Sequence, residues 1–195
     1  YEEVGDLYRA FGTKESIRQG VREWRNAHDL GGRDRRKVAV KLSEHYLQEG
    51  LFYLERGKLP GSDASDFPLA KSAFEQALEF DRSSEKAAEY IQTTRVAIVE
   101  REARFQVNID LIATGDRVQY EAEEAKKDMD FGRAIMMYRT AEGIFEAVSD
   151  EFTELKKIRT NKLIELERAR KAVIGDVMKL ASDVIERGER LAEED

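Results

Sequence analysis

The sequence predicts an all-α chain, and three observations carry that prediction. Charged residues make up 37% of the chain and only 2 prolines occur, the composition of long, heavily solvated helices. Apolar residues recur at spacings of three, four and seven along most of its length. An alternation of aromatic residues and alanines occurs twice, 64 residues apart, and a fixed offset of this kind marks a helical repeat.

Each element has its own local signal. Val4, Leu7, Tyr8 and Phe11 form a short amphipathic helix stopped by Gly12. Thr13, followed by Glu15 and Ser16, is placed to cap a second helix, whose Ile17, Val21, Trp24 and His28 share one face until Gly31 and Gly32 end it. A third helix runs from Arg33 to Gly57, with Val38, Leu42, Tyr46 and Tyr53 on one side and Leu47, Leu51 and Leu54 on the other, so it expects neighbours on two sides. Lys58 to Asp66 holds Pro60, Gly61, Ser62 and Ser65 and reads as loop; Asp66 then caps a fourth helix that tolerates Pro68 in its first turn.

A fifth helix starts at Ser83 or Ser84 and carries Ile91, Ile98, Phe105 and Ile112 every seven residues. Phe105, Val107, Ile109 and Leu111 also alternate with the period of a strand, although no second strand candidate exists to pair with them. Gly115 interrupts, a sixth helix covers Asp116 to Met129, a seventh Asp130 to Val148, and Ser149 caps the last. That last stretch places Phe152, Leu155, Leu166, Val173, Val177, Leu180 and Val184 on one seam. Continuous, it would be about 65 Å long, so it must bend, at Gly175, or project.

Self-comparison gives the architecture. Phe67, Ala70, Phe74, Ala77 and Phe80 are matched by Phe131, Ala134, Tyr138, Ala141 and Ile144; alanine admits a neighbouring backbone and the aromatic fills the hole beside it. Upstream lie Tyr46, Gly50, Tyr53 and Gly57 in one case and Val118, Ala122, Ala125 and Met129 in the other. This pattern resembles the tetratricopeptide repeat, a pair of antiparallel helices in about 34 residues. In the first unit the match requires the eight residues 58–65 to be an inserted turn; in the second, Val118 and Met129 stand where the family has an aromatic and a glycine. The resemblance implies a short solenoid, a single domain over 1–195: N-terminal helices 1–32, a first unit 33–84, a connecting helix 85–114, a second unit 115–148 and a capping helix or helices 149–195. The alternative is an ordinary bundle, in which alanines and aromatics alternate for the same packing reason.

Function classes narrow by exclusion. The chain has no cysteine, which removes thiolate catalysis, cysteine-ligated metals and disulfides. A net charge of -7 argues against binding a phosphate backbone, so no nucleic acid is expected. No apolar run reaches the roughly 20 residues that span a bilayer, and a first residue of Tyr1 points to a mature form or an excised piece of a soluble protein, cytoplasmic or exported. Leu42 and Arg25, three residues before His45 and His28, deny both histidines a carboxylate–histidine turn; His28 reads as a helix-end residue and His45 as a solvated one. Glu123 and Glu124 read as a solvated face. No metal, cofactor or catalytic residue is expected. Basic patches occur at Arg33, Arg35, Arg36, Lys37 and Lys41 and at Lys156, Lys157, Arg159 and Lys162; the first mildly suggests an acidic partner surface.

By resemblance, the first helix of each unit lines a ligand groove. Its residues are Leu47, Leu51 and Leu54 in the first unit and Gln119, Tyr120 and Glu123 in the second. The leucines either accept an apolar partner segment or are covered by the N-terminal helices. The expected function is a non-catalytic scaffold that binds a protein or peptide. The alternatives are an oligomeric structural protein that uses its C-terminal seam as a coiled coil, and an all-helical enzyme using carboxylates.

Overall fold

The computed structural model describes residues 2–31 and 33–193, and side chains as far as residue 190. The described residues form seven helices and no strand: α1 (Glu2–Ala10), α2 (Lys14–Asp29), α3 (Arg35–Gly57), α4 (Asp66–Phe80), α5 (Glu85–Lys127), α6 (Phe131–Glu146) and α7 (Thr153–Glu193). The chain is therefore all-α, and the strand-like alternation over 105–111 lies within α5. No helix of the described residues is long and apolar enough to cross a membrane. Packing divides the chain into two units, 1–101 and 102–195, with the boundary inside α5.

In the first unit α3 and α4 form an antiparallel pair. A Cβ on Gly50 would stand 2.5 Å from the Phe74 ring and one on Gly57 2.8 Å from the Phe67 ring, so the absent side chains are what bring the helices together. Ala70, Phe74 and Ala77 are fully buried at this contact. The expected cap at Asp66 is not formed: Ser65 occupies the cap position, and the buried Asp66 carboxylate accepts from both Nε and Nη2 of Arg56 instead. A carboxylate taken out of water requires a partner of this kind. The loop 58–65 is anchored by Arg101, which donates to the carbonyls of Ser62 and Asp63 at 2.8 and 2.9 Å.

The N-terminal helix packs on a different face from the one its apolar residues predict. Val4, Leu7, Tyr8 and Phe11 are exposed, and Gly5 is buried against Trp24 and the backbone of Gly20. Two facing glycines allow backbone contact, and Asp6 secures the crossing by accepting from Trp24 Nε1 at 3.0 Å. Lys37 and Lys41, two of the five residues of the first basic patch, pair with Glu2 at 2.8 and 2.7 Å; the Lys37 bond, ahead of that of Lys41, holds the Glu2 pKa below its usual value. Thr13 caps α2 as expected, its hydroxyl accepting from the Ser16 amide at 3.2 Å. Gly31 closes the helix with φ 70°; Gly32 lies outside the described residues.

In the second unit α5 does not break at Gly115. A Cβ there would meet the Phe145 ring at 2.7 Å, so this glycine serves close packing rather than termination, and the helix runs on to Lys127. Its end is a tight left-handed cap: the Met129 amide donates to Lys126 and the Asp130 amide to Ala125, the paired bonds of a Schellman motif. Met129 takes the left-handed position with φ 60°, and Asp130 immediately caps α6 by accepting from the Arg133 amide at 3.1 Å. Ala122, Ala134, Tyr138 and Ala141 are buried together with Leu166 and Val173 of α7. Ser149 does not cap α7, which begins at Thr153; its hydroxyl accepts from Glu151 in a turn, and its amide donates to the buried Asn108. Gly175 ends nothing either. Helix α7 continues past it, and every described side chain after Val173 is exposed.

Candidate functional site

A cleft of about 920 Å³ lies in the first unit between α2 and α3. One wall is basic. Lys14, Arg18, Arg22 and Arg25 stand at spacings of four, four and three on α2, which turns all four to one side of the helix. The opposite wall is aromatic, with Tyr46, Phe52 and Tyr53 of α3, and a single carboxylate, Glu49, faces the cations. Phe52 is 61% exposed, and its ring meets that of Tyr53 edge-on at 5.4 Å.

Two groups in the cleft are held in fixed orientations. The Arg25 guanidinium lies over Tyr46 at 5.2 Å and donates through Nη2 to Gln76 of α4 at 2.6 Å; Tyr46 in turn stacks on Phe80 at 5.9 Å. Burial of the Tyr46 hydroxyl raises its pKa. The expectation that His45 is solvated is overturned. Its half-buried ring packs against Tyr46, and Nδ1 lies 3.1 Å from Arg9 Nη1. Arginine only donates, so Nδ1 accepts and Nε2 carries the proton of a neutral imidazole. Burial, with Arg9 and Arg25 close by, lowers its pKa to about 4. His28 does lie at a helix end, with its ring edge-on to Phe80.

The six groove residues expected from the sequence occupy two places. Leu54 is buried with Phe67, Ala70, Phe74 and Ile91, and Leu47 and Leu51 pack half-buried against the same cluster, so these leucines leave little apolar surface for a ligand. Leu47 also meets the cluster that contains Trp24. In the second unit Tyr120 is 64% exposed, Gln119 is half-buried with its carbonyl oxygen unpaired among the described residues, and Glu123 accepts from the Tyr138 hydroxyl. That bond follows burial as the cause of the raised Tyr138 pKa. The second basic patch is largely engaged locally, with Arg159 bound to Asp150 and Lys162 to Asp116. Among the described residues no three His, Asp or Glu side chains converge as a metal site would require.

The sequence signal for the cleft is the basic stripe of α2, at spacings of four, four and three, rather than any pattern on α3. Comparison with known protein families, with curated proteins and with solved structures gives no match to this chain.

Proposed function

We propose that the chain is a non-catalytic, tetratricopeptide-like module that holds a segment of another protein in the cleft between α2 and α3. The observation that carries the reading is the open cleft itself, large enough for several side chains and with an exposed phenylalanine on one wall. The two helix pairs support the repeat: Ala70 and Ala134, Phe74 and Tyr138, Ala77 and Ala141 are buried at matching positions 64 residues apart. His45 is better suited to structure than to proton transfer, because Arg9 occupies the nitrogen that would act as base. Panning a displayed random-peptide library against the whole chain tests this reading. Selected peptides should perturb the backbone amides of α2 and α3; binders that map only to other helices would remove the cleft as the binding site.

A second reading rests on α7. Val177, Leu180 and Val184 form an exposed seam beyond the part of the helix that packs, with the spacings of three and four of a coiled coil. On this reading the chain self-associates through α7, and sedimentation equilibrium decides it. A monomer mass at micromolar concentration that Val184→Asp leaves unchanged would discard the oligomer.

A further inference from the structure

We infer that the cleft between α2 and α3 receives an acidic protein segment, whose carboxylates pair with Arg18, Arg22 and Arg25 while its intervening apolar side chains cover Phe52. The inference rests on the cleft being the partner site and adds the chemistry of its occupant.

Charge supplies the first argument. The unit that holds the cleft is nearly balanced, with 17 basic and 18 acidic side chains over residues 1–101, yet its cleft sets four cations against a single carboxylate, and a local excess of positive charge selects an anionic ligand. Geometry supplies the second. Residues four apart on a helix are about 6 Å apart along its axis, while alternate residues of an extended segment repeat at about 6.6 Å. A strand lying along α2 therefore offers every second side chain to Lys14, Arg18 and Arg22 in turn, and Arg25 follows about 4.5 Å beyond Arg22. The strand's other side chains turn to the opposite wall, which is the one bearing Tyr53 and Phe52.

The arginines differ in how ready they are. Arg25 is already held by Tyr46 and Gln76, so its planar fork loses little freedom on meeting a carboxylate. Among the described residues Arg18 and Arg22 pair on their own helix, with Glu15 at 3.8 Å and Gln19 at 3.5 Å, contacts weak enough to be exchanged for a ligand's oxygens. Cations beside aromatic rings also suit single-stranded nucleic acid. Glu49 within the cleft disfavours a polyphosphate, whose charge is continuous along its length, over a short acidic segment whose carboxylates alternate with neutral side chains.

The test uses three fluorescent probes on the whole chain: a short peptide alternating glutamate with leucine and phenylalanine, the same peptide with lysine for glutamate, and an oligothymidylate. The glutamate peptide should bind at least about tenfold more tightly than the lysine peptide, with amide shifts confined to α2 and α3 and affinity falling as salt is added. The double variant Arg18→Glu/Arg22→Glu changes two exposed side chains; it should retain its helix content and reverse the preference, and the milder Arg22→Gln should give an intermediate loss. Equal binding of both peptides in the cleft would leave the site standing and overturn its acidic specificity. Tighter binding of the oligothymidylate would reassign the cleft to nucleic acid, and no shift on α2 or α3 with any probe would remove the cleft reading itself.

Discussion

Among the described residues Met129 is the one non-glycine residue with a positive φ. It closes α5 at φ 60° with its side chain 68% exposed, and a left-handed conformation at a residue with a Cβ costs about 1–2 kcal/mol. Replacing Met129 by glycine should therefore raise the unfolding free energy by about 1 kcal/mol, read as a higher denaturant midpoint with an unchanged slope. His45 makes a second prediction. Its pKa is about 4 in the folded chain against an ordinary 6.5, so between those values the unfolded state binds more protons than the folded one. The contribution of the neutral ring is complete above pH 6.5 and is lost as pH falls toward 4. His45→Gln, which keeps an acceptor for Arg9, should flatten the thermal midpoint across that window; parallel pH curves would assign the slope to other groups. Nothing near His45 in sequence announces its state, because Arg9 lies 36 residues earlier. The cations of α2 were legible in principle, since their spacing alone sets them on one face.

At the scale of elements, the periodic signals were legible, and so were Gly12 and Gly31 at helix ends and Gly50 and Gly57 at a close approach, whereas Gly115 and Gly175 were not. Phe67, Ala70, Phe74 and Ala77 repeat because each must fit a neighbouring helix, and all are buried. A glycine inside an apolar pattern has two meanings, a stop or a close approach, and the difference lies in a partner far along the chain: Phe145 for Gly115, Gly20 for Gly5. In α1 the apolar stripe of Val4 and Leu7, continued by Phe11, is exposed and Gly5 forms the buried face. The two hairpins now explain each other. In the second, Met129 and Asp130 close the turn, one as left-handed cap and the other as the first cap of α6. Removing residues 58–65 from the first would leave Gly57 and Asp66 at the equivalent places, a glycine ready for the left-handed position and an aspartate ready to cap α4. The deleted chain should remain helical and melt cooperatively, since shortening a loop alters closure entropy by only about 0.6 kcal/mol per halving. A chain without a melting transition would show that the anchoring of Ser62 and Asp63 by Arg101 is required for folding.

At the scale of the whole molecule, the feature with the widest reach is the uninterrupted α5. Its 43 residues begin in one unit and end in the other. Starting a helix is the unfavourable step, with a nucleation constant on the order of 10⁻³, whereas extending an existing one costs little. Two cores that share a helix thus share one nucleation event, and whichever folds first presents the other with a ready-made template. The linkage is energetic rather than mechanical, of the nearest-neighbour kind that governs repeat arrays. It should make the chain melt as one calorimetric unit although each core is closed by its own side chains. Proline in place of the exposed Glu102, at the boundary, breaks the backbone ladder at a cost of about 3 kcal/mol without touching either core. The single endotherm should then separate into two, and an undivided endotherm in the Glu102→Pro chain would place the coupling elsewhere than in α5.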